Sequence, residues 1–229
     1  MPVGDDKHLV LSAIGRIVGL EPTTGKLLWE FDEIANNSTT TPMPLGNGRF
    51  LIGASEGRGE TTVTPVTSNG VVQISQQVDG AYQARFLWRA DKATSSFGSP
   101  IFAGGNAYFI NRAGVVYCLD AENGEQHYAQ RSAGSVWATP LHVGDRIYLF
   151  GRSGTTTVIR DGKKFEKLAE NPLWGEQVPE RKPASDGQST TTGGFGGPVL
   201  YGVAVAGNKL LLRRGDRLYC VGANADFER

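Results

Sequence analysis

The sequence predicts an all-β protein: a β-propeller of four-stranded antiparallel blades that forms an incomplete ring, with three full blades and two partial ones. Two observations predict this fold. Short runs of strand-forming residues alternate with glycine-containing turns of the kind that joins antiparallel strands. The same unit then recurs along the chain, and its shortest period, from Pro100 to Pro140, fits the roughly 40–45 residues of one propeller blade.

The third unit shows the pattern most completely. Its predicted strands cover residues 99–102, 107–110, 115–120 and 125–130. The turns between them contain Gly105-Asn106, Gly114 and Asn123-Gly124, which suit tight hairpins. A four-stranded meander alone buries only one face well and is marginally stable, so it needs neighbouring copies.

The neighbouring copies are found by aligning a proline that precedes the first strand of a unit. This proline occurs four times, and an aromatic residue stands three places before it in three of the copies. The prolines are Pro42, Pro100, Pro140 and Pro198. We therefore predict one partial propeller over residues 1–229, with units at 1–35, 36–91, 92–131, 132–170 followed by a loop at 171–196, and 197–229.

The two end units are shorter than the others. The first has only Pro2-Val3 in place of an inner strand, and the last stops after three strands. The second unit is enlarged near residues 56–67, where we expect a surface excursion. A ring of blades normally leaves no long free edge, because such edges invite association. We expect either a piece of a longer propeller or self-association of copies through open blade edges.

Composition excludes several classes of function. The chain has 23 basic and 23 acidic side chains, whereas a nucleic-acid-binding protein normally carries a basic excess. No apolar run approaches the ~18–20 residues of a membrane span. The first residues lack the charged and apolar segments of a signal peptide. We expect no nucleic-acid partner and no membrane span.

The two cysteines, Cys118 and Cys220, occupy the same repeat position in different units. Equivalent positions in different blades are held apart, so we predict no disulfide between them. Free cysteines usually behave as small buried apolar residues, and we expect both to be buried. Three scattered histidines make no zinc-binding pattern.

Two segments resemble a known repeat. Residues 20–29 and 119–128 are similar to the PQQ-like repeat, Ala-x-Asp-x-x-Thr-Gly-Lys-x-x-Trp, of bacterial PQQ-binding-like (quinoprotein alcohol dehydrogenase-like) β-propeller proteins. The repeat places Trp29, Tyr128 and, in the second unit, Trp88 at its aromatic position. We interpret these three residues as structural staples between blades, with the positive φ of the preceding turn supplied by glycine.

The resemblance implies a choice of functions. Quinone-dependent dehydrogenases of this family use adjacent cysteines, a tryptophan platform, a calcium ion and a catalytic aspartate. This sequence has no adjacent cysteines and no Asp-x-Asn-x-Glu cluster. We therefore predict no catalytic, cofactor-binding or metal-binding residues and no cofactor.

The leading hypothesis is a non-enzymatic propeller scaffold for protein–protein or ligand binding, similar to the family's outer-membrane assembly scaffolds. The resemblance then implies a periplasmic or secreted parent protein. One alternative is a fragment of a PQQ-dependent oxidoreductase, with PQQ and calcium bound by residues outside this chain. Another is a carbohydrate-binding propeller that uses Trp137.

One surface is a candidate site for a protein partner or a small anionic ligand. In an antiparallel blade, the loop before the first strand and the turn between the second and third strands lie on the same face. Arginine forks suit carboxylates, and surfaces rich in aromatics and arginine are frequent binding hot spots. In the alternative interpretation the aromatics pack under the loops and the arginines are solvated. The candidates are Phe97, Trp137 and Phe195 in the loops and Arg112, Arg152 and Arg213 in the turns.

Overall fold

The computed structural model describes residues 1–55, 65–132, 134–173, 200–214 and 217–222. It confirms the predicted fold: consecutive antiparallel sheets of a β-propeller form an open ring, and three of the sheets have four strands. The first strands of the second, third and fourth blades contact one another in succession, so the sheets are arranged around a common axis.

The strands follow one another in sheet order within each blade, without crossovers. The first blade contains β1 Pro2–Val3, β2 Asp6–Lys7, β3 Leu9–Ala13, β4 Arg16–Leu20 and β5 Leu27–Phe31. The second contains β6 Met43–Gly46, β7 Arg49–Ile52, a 3-10 helix at Pro65–Ser68, β8 Gly70–Gln76 and β9 Tyr82–Arg89. The third contains β10 Ile101–Ala103, β11 Asn106–Ile110, β12 Val115–Asp120 and β13 Gln126–Arg131. The fourth contains β14 Leu141–Val143, β15 Arg146–Phe150, β16 Thr155–Arg160 and β17 Lys167–Pro172. The last contains β18 Leu200–Ala206, β19 Lys209–Arg214 and β20 Arg217–Gly222.

The inner strand of the first blade is reduced to two residues. Pro2 pairs with Lys7 and Val3 with Asp6, and the ladder continues because His8 N donates to Met1 O at 2.8 Å. The N-terminal ammonium of Met1 donates in return to His8 O at 2.7 Å. His8 therefore joins β2 to β3, and the short β1 occupies the place that β10 has in the third blade.

The hydrophobic core lies between adjacent blades. In the third blade every residue of β11 is buried, because sheets cover both of its faces. Tyr108 of β11 packs in one cluster with Ile147 and Leu149 of the fourth blade. Phe109, on the other face of β11, packs in a second cluster with Leu51 of the second blade. Because successive side chains of a strand point to opposite faces of the sheet, each inner blade packs against both of its neighbours.

Some predicted boundaries are shifted. The first strand of the third blade begins at Ile101, two residues later than expected, because Pro100 has no N–H and Ser99 bonds to the next loop instead. Residues 167–172 form the last strand of the fourth blade, which extends two residues beyond the predicted end of that unit at residue 170. The predicted excursion lies mostly outside the described residues. The loop predicted at 171–196 begins later, because β17 includes residues 171 and 172, and residues 174–196 lie outside the described part of the chain.

The prediction that both cysteines are buried was wrong for Cys220. Both are free, and Cys118 is fully buried, but Cys220 is exposed. Cys118 lies in a central strand that the fourth blade covers. Cys220 lies on β20, the last strand of the last described sheet, and among the described residues no further sheet packs against it.

Candidate partner-binding face

The three predicted staples lie at the contacts between successive blades. Trp29 is 4% exposed and stacks on Phe50 of the second blade, with ring centroids 6.2 Å apart. Trp88 donates its indole N–H to Ala121 O of the third blade at 3.0 Å. Tyr128 meets the ring of Phe165 of the fourth blade, with centroids 5.6 Å apart.

The fourth blade has a small residue at the equivalent position. Strand pairing sets Tyr128 opposite Cys118, and in the same register sets Ala169 opposite Val158. Phe165, the aromatic residue after the turn of the fourth unit, does not occupy this position and packs against Tyr128. The turn of the fourth unit is shorter, so counting residues from the turn does not align the two blades. The β-bulge after Val158 shows that Ala169 is the residue equivalent to Tyr128.

The repeat turn of one blade packs on the staple of the blade before it. Asp120 Oδ1 accepts a hydrogen bond from Glu122 N at 2.9 Å, which lowers the pKa of this carboxyl. Gly124 follows with a φ of 78°, and a Cβ there would lie only 2.7 Å from Trp88. The glycine therefore serves both the turn and the close approach to the ring.

The next contact between blades buries a thiol. Gly162 N of the fourth blade donates to the Tyr108 hydroxyl at 2.7 Å, and Cys118 Sγ lies 3.5 Å from Gly162 O. Burial raises the pKa of Cys118 to about 11 and raises the pKa of Tyr108 and Tyr128 as well. The thiol is therefore neutral near pH 7 and has a structural role.

At the opposite ends of the strands lies the candidate face. We call it the loop face and define it by residues 93–100, 111–114, 131–132, 134–140 and 151–154. Here Phe97 and Trp137 contact each other with ring centroids 4.5 Å apart. The Arg152 guanidinium lies over Trp137, with its Cζ 4.8 Å from the ring centroid. All three side chains are half-buried, so the structure brings together three of the predicted residues.

Hydrogen bonds between loops hold this aromatic pair in place. Trp137 Nε1 donates to Ser135 Oγ at 2.8 Å, and Arg152 N donates to Ser135 O at 2.7 Å. The Ser135 hydroxyl in turn donates to Arg112 O. Arg112 N donates to Ser96 Oγ at 2.8 Å. The backbone of both arginine-bearing turns is therefore fixed to the aromatic loops.

A second set of bonds links the loops around the axis. Thr41 N donates to Ser99 Oγ at 2.9 Å, and Ser99 N donates to Thr139 Oγ1 at 3.0 Å. Each of these residues precedes the repeat proline of its blade. Sequence reasoning missed this ladder, although a hydroxyl residue before three of the four prolines was a visible signal.

The loop face is positively charged. Arg112 is exposed, and Arg131 donates to Ala113 O at 3.4 Å. Together with Arg152 they give three arginines, and the segments of this face contain no aspartate or glutamate. Asp91 and Lys92, which precede the first segment, have opposite charges.

The described contacts do not join the other two predicted residues to this cluster. Arg213 is exposed within β19, in a different sheet from the aromatic pair, and not in a turn. Phe195 lies outside the described residues. Sequence reasoning missed Arg131, which reaches this face only because β13 ends there. The use of the face for binding stays a prediction.

The described residues contain neither a cluster of metal-binding side chains nor a membrane-spanning helix. No group of three or more His, Cys, Asp or Glu side chains there is placed to hold a metal ion. No helix there has the length and apolar composition to cross a bilayer. The predictions that the chain has no catalytic residues and no cofactor stay predictions.

The repeated sheets, staples and turns define a β-propeller repeat protein. A model of the family described as outer membrane protein assembly factor BamB matches residues 68–192, just over half of the 229 residues. The chain therefore belongs to this family, which confirms the resemblance to PQQ-like repeat proteins. No curated protein sequence matches the chain.

Three solved structures are similar to the chain to different degrees. BamB from Moraxella catarrhalis is 15% identical, with a TM-score of 0.48, over 100% of this chain and 70% of that chain. The Myceliophteria thermophila Cps50 (Swd1) β-propeller domain is 11% identical, with a TM-score of 0.60, over 94% and 66%. The C-terminal WD40 domain of Sif2 is 11% identical, with a TM-score of 0.55, over 96% and 53%. The chain thus spans between about half and 70% of these proteins. The similarity to the Swd1 and Sif2 domains supports the fold and nothing beyond it.

Proposed function

We propose that this chain is a non-enzymatic propeller scaffold that binds a protein partner through the loop face. The observation that carries the proposal is the fixed Phe97–Trp137 pair with the Arg152 guanidinium over it. Aromatic and arginine side chains held in place before binding lose little conformational freedom when a partner docks. The family description, an outer membrane protein assembly factor, supports a protein partner and a periplasmic location.

Charge supports an acidic segment on the partner. Arg112, Arg131 and Arg152 face the same surface without a carboxylate among its segments. At the same end of the second blade, Arg89 pairs with Glu33 at 2.7 Å. The three arginines of the loop-face segments contribute a local positive potential, which favours encounter with carboxylates.

Site-specific photocrosslinking tests the proposal. A benzophenone amino acid replaces Phe97, or replaces the fully exposed Val78 on the opposite face as a control. We expect a discrete protein adduct from bacterial envelope only at position 97. No adduct at position 97, or the same adduct at both positions, would contradict a partner at the loop face.

A matched pair of double variants then tests the role of charge. We expect Arg112→Ala with Arg152→Ala to weaken binding of the crosslinked partner at least tenfold, as hot-spot arginines do. The control, Arg146→Ala with Arg160→Ala, removes two arginines from the opposite face of the fourth blade. Equal affinities of the two double variants would contradict the proposal.

Titration with PQQ and calcium, followed by quinone absorbance and dye reduction, tests the predicted absence of a cofactor separately.

A further inference from the structure

A cavity of about 290 Å³ lies between the fourth blade and the last blade. Residues of β15, β16 and β17 form one side of it, and residues of β19 and β20 form the other side. An apolar cavity of roughly 150 Å³ is already large enough to bind benzene. No residue that defines the loop face lines this cavity, so it is separate from the proposed partner-binding surface.

The same place is filled at the preceding contact, between the third and fourth blades. Strand pairing identifies the residues there that are equivalent to five residues of the cavity lining. Tyr148, Thr156, Leu210, Leu212 and Val221 correspond, in that order, to Tyr108, Val116, Ile147, Leu149 and Ile159. All five equivalents are 0% exposed and belong to one core cluster, against which the rings of Tyr128 and Phe165 pack.

The contact between the fourth and last blades is packed less tightly. Val221 is 42% exposed there, and Tyr148 and Leu210 are half-buried. The residue at the staple position of the fourth blade is Ala169, two residues before Asn171 on β17. Their side chains therefore point to the same face of the sheet, and Asn171 lines the cavity. A small residue in place of a large one leaves a space that its neighbours fill only in part.

The lining favours an uncharged ligand with an apolar body. It includes no Asp, Glu, Lys, Arg or His side chain. Leu210, Leu212 and Val221 form an apolar wall on the side of the last blade. Thr156 and Asn171 pair with each other across β16 and β17, and Asn171 is exposed. The polar groups of the lining therefore lie towards the mouth of the cavity.

We propose that this cavity binds a small uncharged aromatic molecule of about two fused rings that carries a hydroxyl or N–H group. Two fused rings fit because the cavity has about twice the volume of one that holds a single ring. The ring system lies between the sheets, as the aromatic staples do at the other contacts, and touches Leu210, Leu212 and Tyr148. Its polar group bonds to Thr156 or Asn171 at the mouth.

The compounds 2-naphthol and decahydro-2-naphthol form a matched pair of probes, because both carry a hydroxyl on fused rings and only the first is flat and aromatic. Each is titrated into the full chain with isotopically labelled leucine and valine methyl groups. We expect saturable shifts with 2-naphthol at the methyl groups of Leu210, Leu212 and Val221. Those of Leu51, at another blade contact, should stay unchanged.

The decahydro compound should bind roughly threefold more weakly or worse, because it makes no ring–ring contact with Tyr148. Three results would overturn the proposal: no saturable shift, shifts of the same size at Leu51 and at the cavity residues, or equal affinities of the two probes.

Variants at the staple position locate the site. Ala169→Tyr supplies the aromatic residue that the other blades carry, and we expect it to raise the melting temperature and to remove saturable 2-naphthol binding. The control Ala129→Tyr adds the same ring at an exposed position of β13 and should leave binding unchanged. If Ala169→Tyr lowers the melting temperature, Val221→Trp replaces it, because this lining position is 42% exposed and admits a larger side chain. Unchanged affinity in the folded variant would overturn the assignment of the site.

Discussion

At the scale of single residues, His8 makes stability depend on pH. Burial is the main cause that lowers its pKa, and the neighbouring Asp6 opposes this effect. The unfolded chain then binds more protons than the folded chain below the ordinary histidine pKa of about 6.5. The contribution of neutral His8 is complete above that pH and is lost as the pH falls.

We therefore expect the melting temperature to decrease between about pH 7.5 and 5.5, where carboxyl groups still contribute little. In the folded chain His8 Nδ1 accepts the Trp29 indole N–H at 3.0 Å. The decrease should be smaller in His8→Asn, because this variant keeps an acceptor for Trp29 without a titrating ring. Melting curves followed by circular dichroism across this range are the measurement. The same pH slope in both proteins would show that His8 is not the titrating group.

The two thiols should react very differently. Cys118 is fully buried and its pKa is raised to about 11, so little thiolate forms and reagents cannot reach it. Cys220 is exposed. Native protein should release one equivalent of thionitrobenzoate from Ellman's reagent, and unfolded protein two. Cys220→Ser should show no fast native reaction, and a fast reaction in that variant would contradict the burial of Cys118.

At the scale of structural elements, the contact between turn and staple can be isolated with two glycines. Gly124 has a φ of 78° and packs on Trp88, whereas Gly80 has a φ of 84° with no atom within 4 Å of an added Cβ. Gly80→Ala should cost only the left-handed backbone strain, about 1 kcal/mol. Gly124→Ala should cost about 1–3 kcal/mol more, because its methyl group overpacks the ring. Equal unfolding free energies in urea would contradict the close packing of turn and ring.

The elements themselves were predictable because their signals are local. Glycine turns and strand-forming runs recur with the period of a blade, and Gly114 or Gly124 marks a turn without knowledge of the rest of the molecule. The equivalence of Ala169 with Tyr128 was not predictable in this way. It depends on the β-bulge between Val158 and Ile159, which a residue count from the turn does not show.

The candidate site was predictable only in part for the same reason. Successive strands of a blade run in opposite directions, and this alone places Phe97, Trp137 and Arg152 at the same face. Their contact depends on how two loops pack. Arg131 was missed because it lies in a strand and not in a loop. The cavity between the fourth and last blades depends on how two sheets pack, which sequence spacing does not reveal.

At the scale of the whole molecule, the described loops and turns differ in charge at the two ends of the strands: three arginines cluster at the loop face, and acidic and basic side chains are mixed at the opposite face. The loop face carries three arginines and no carboxylate in its segments, whereas the turns of the opposite face contain Asp120, Asp145 and Asp161. These turns also form ion pairs, such as Arg160 with Asp145 and Glu166. A partner attracted by charge therefore meets different surfaces on the two sides of the ring.

The open ring leaves a strand edge, and we expect it to drive self-association. Among the described strands β20 pairs only with β19, and its Leu218 is 69% exposed. An unpaired edge with apolar side chains offers N–H and C=O groups to another copy, and an edge lysine opposes such pairing. Sedimentation velocity should therefore show a concentration-dependent species heavier than the 24.6 kDa chain.

Leu218→Lys should weaken association at least tenfold, whereas Val78→Lys, in an exposed hairpin away from the edge, should not. If both variants associate like the unsubstituted chain, the β20 edge is not the contact. A lysine at position 218 should prevent β20 from pairing with a strand of a second copy.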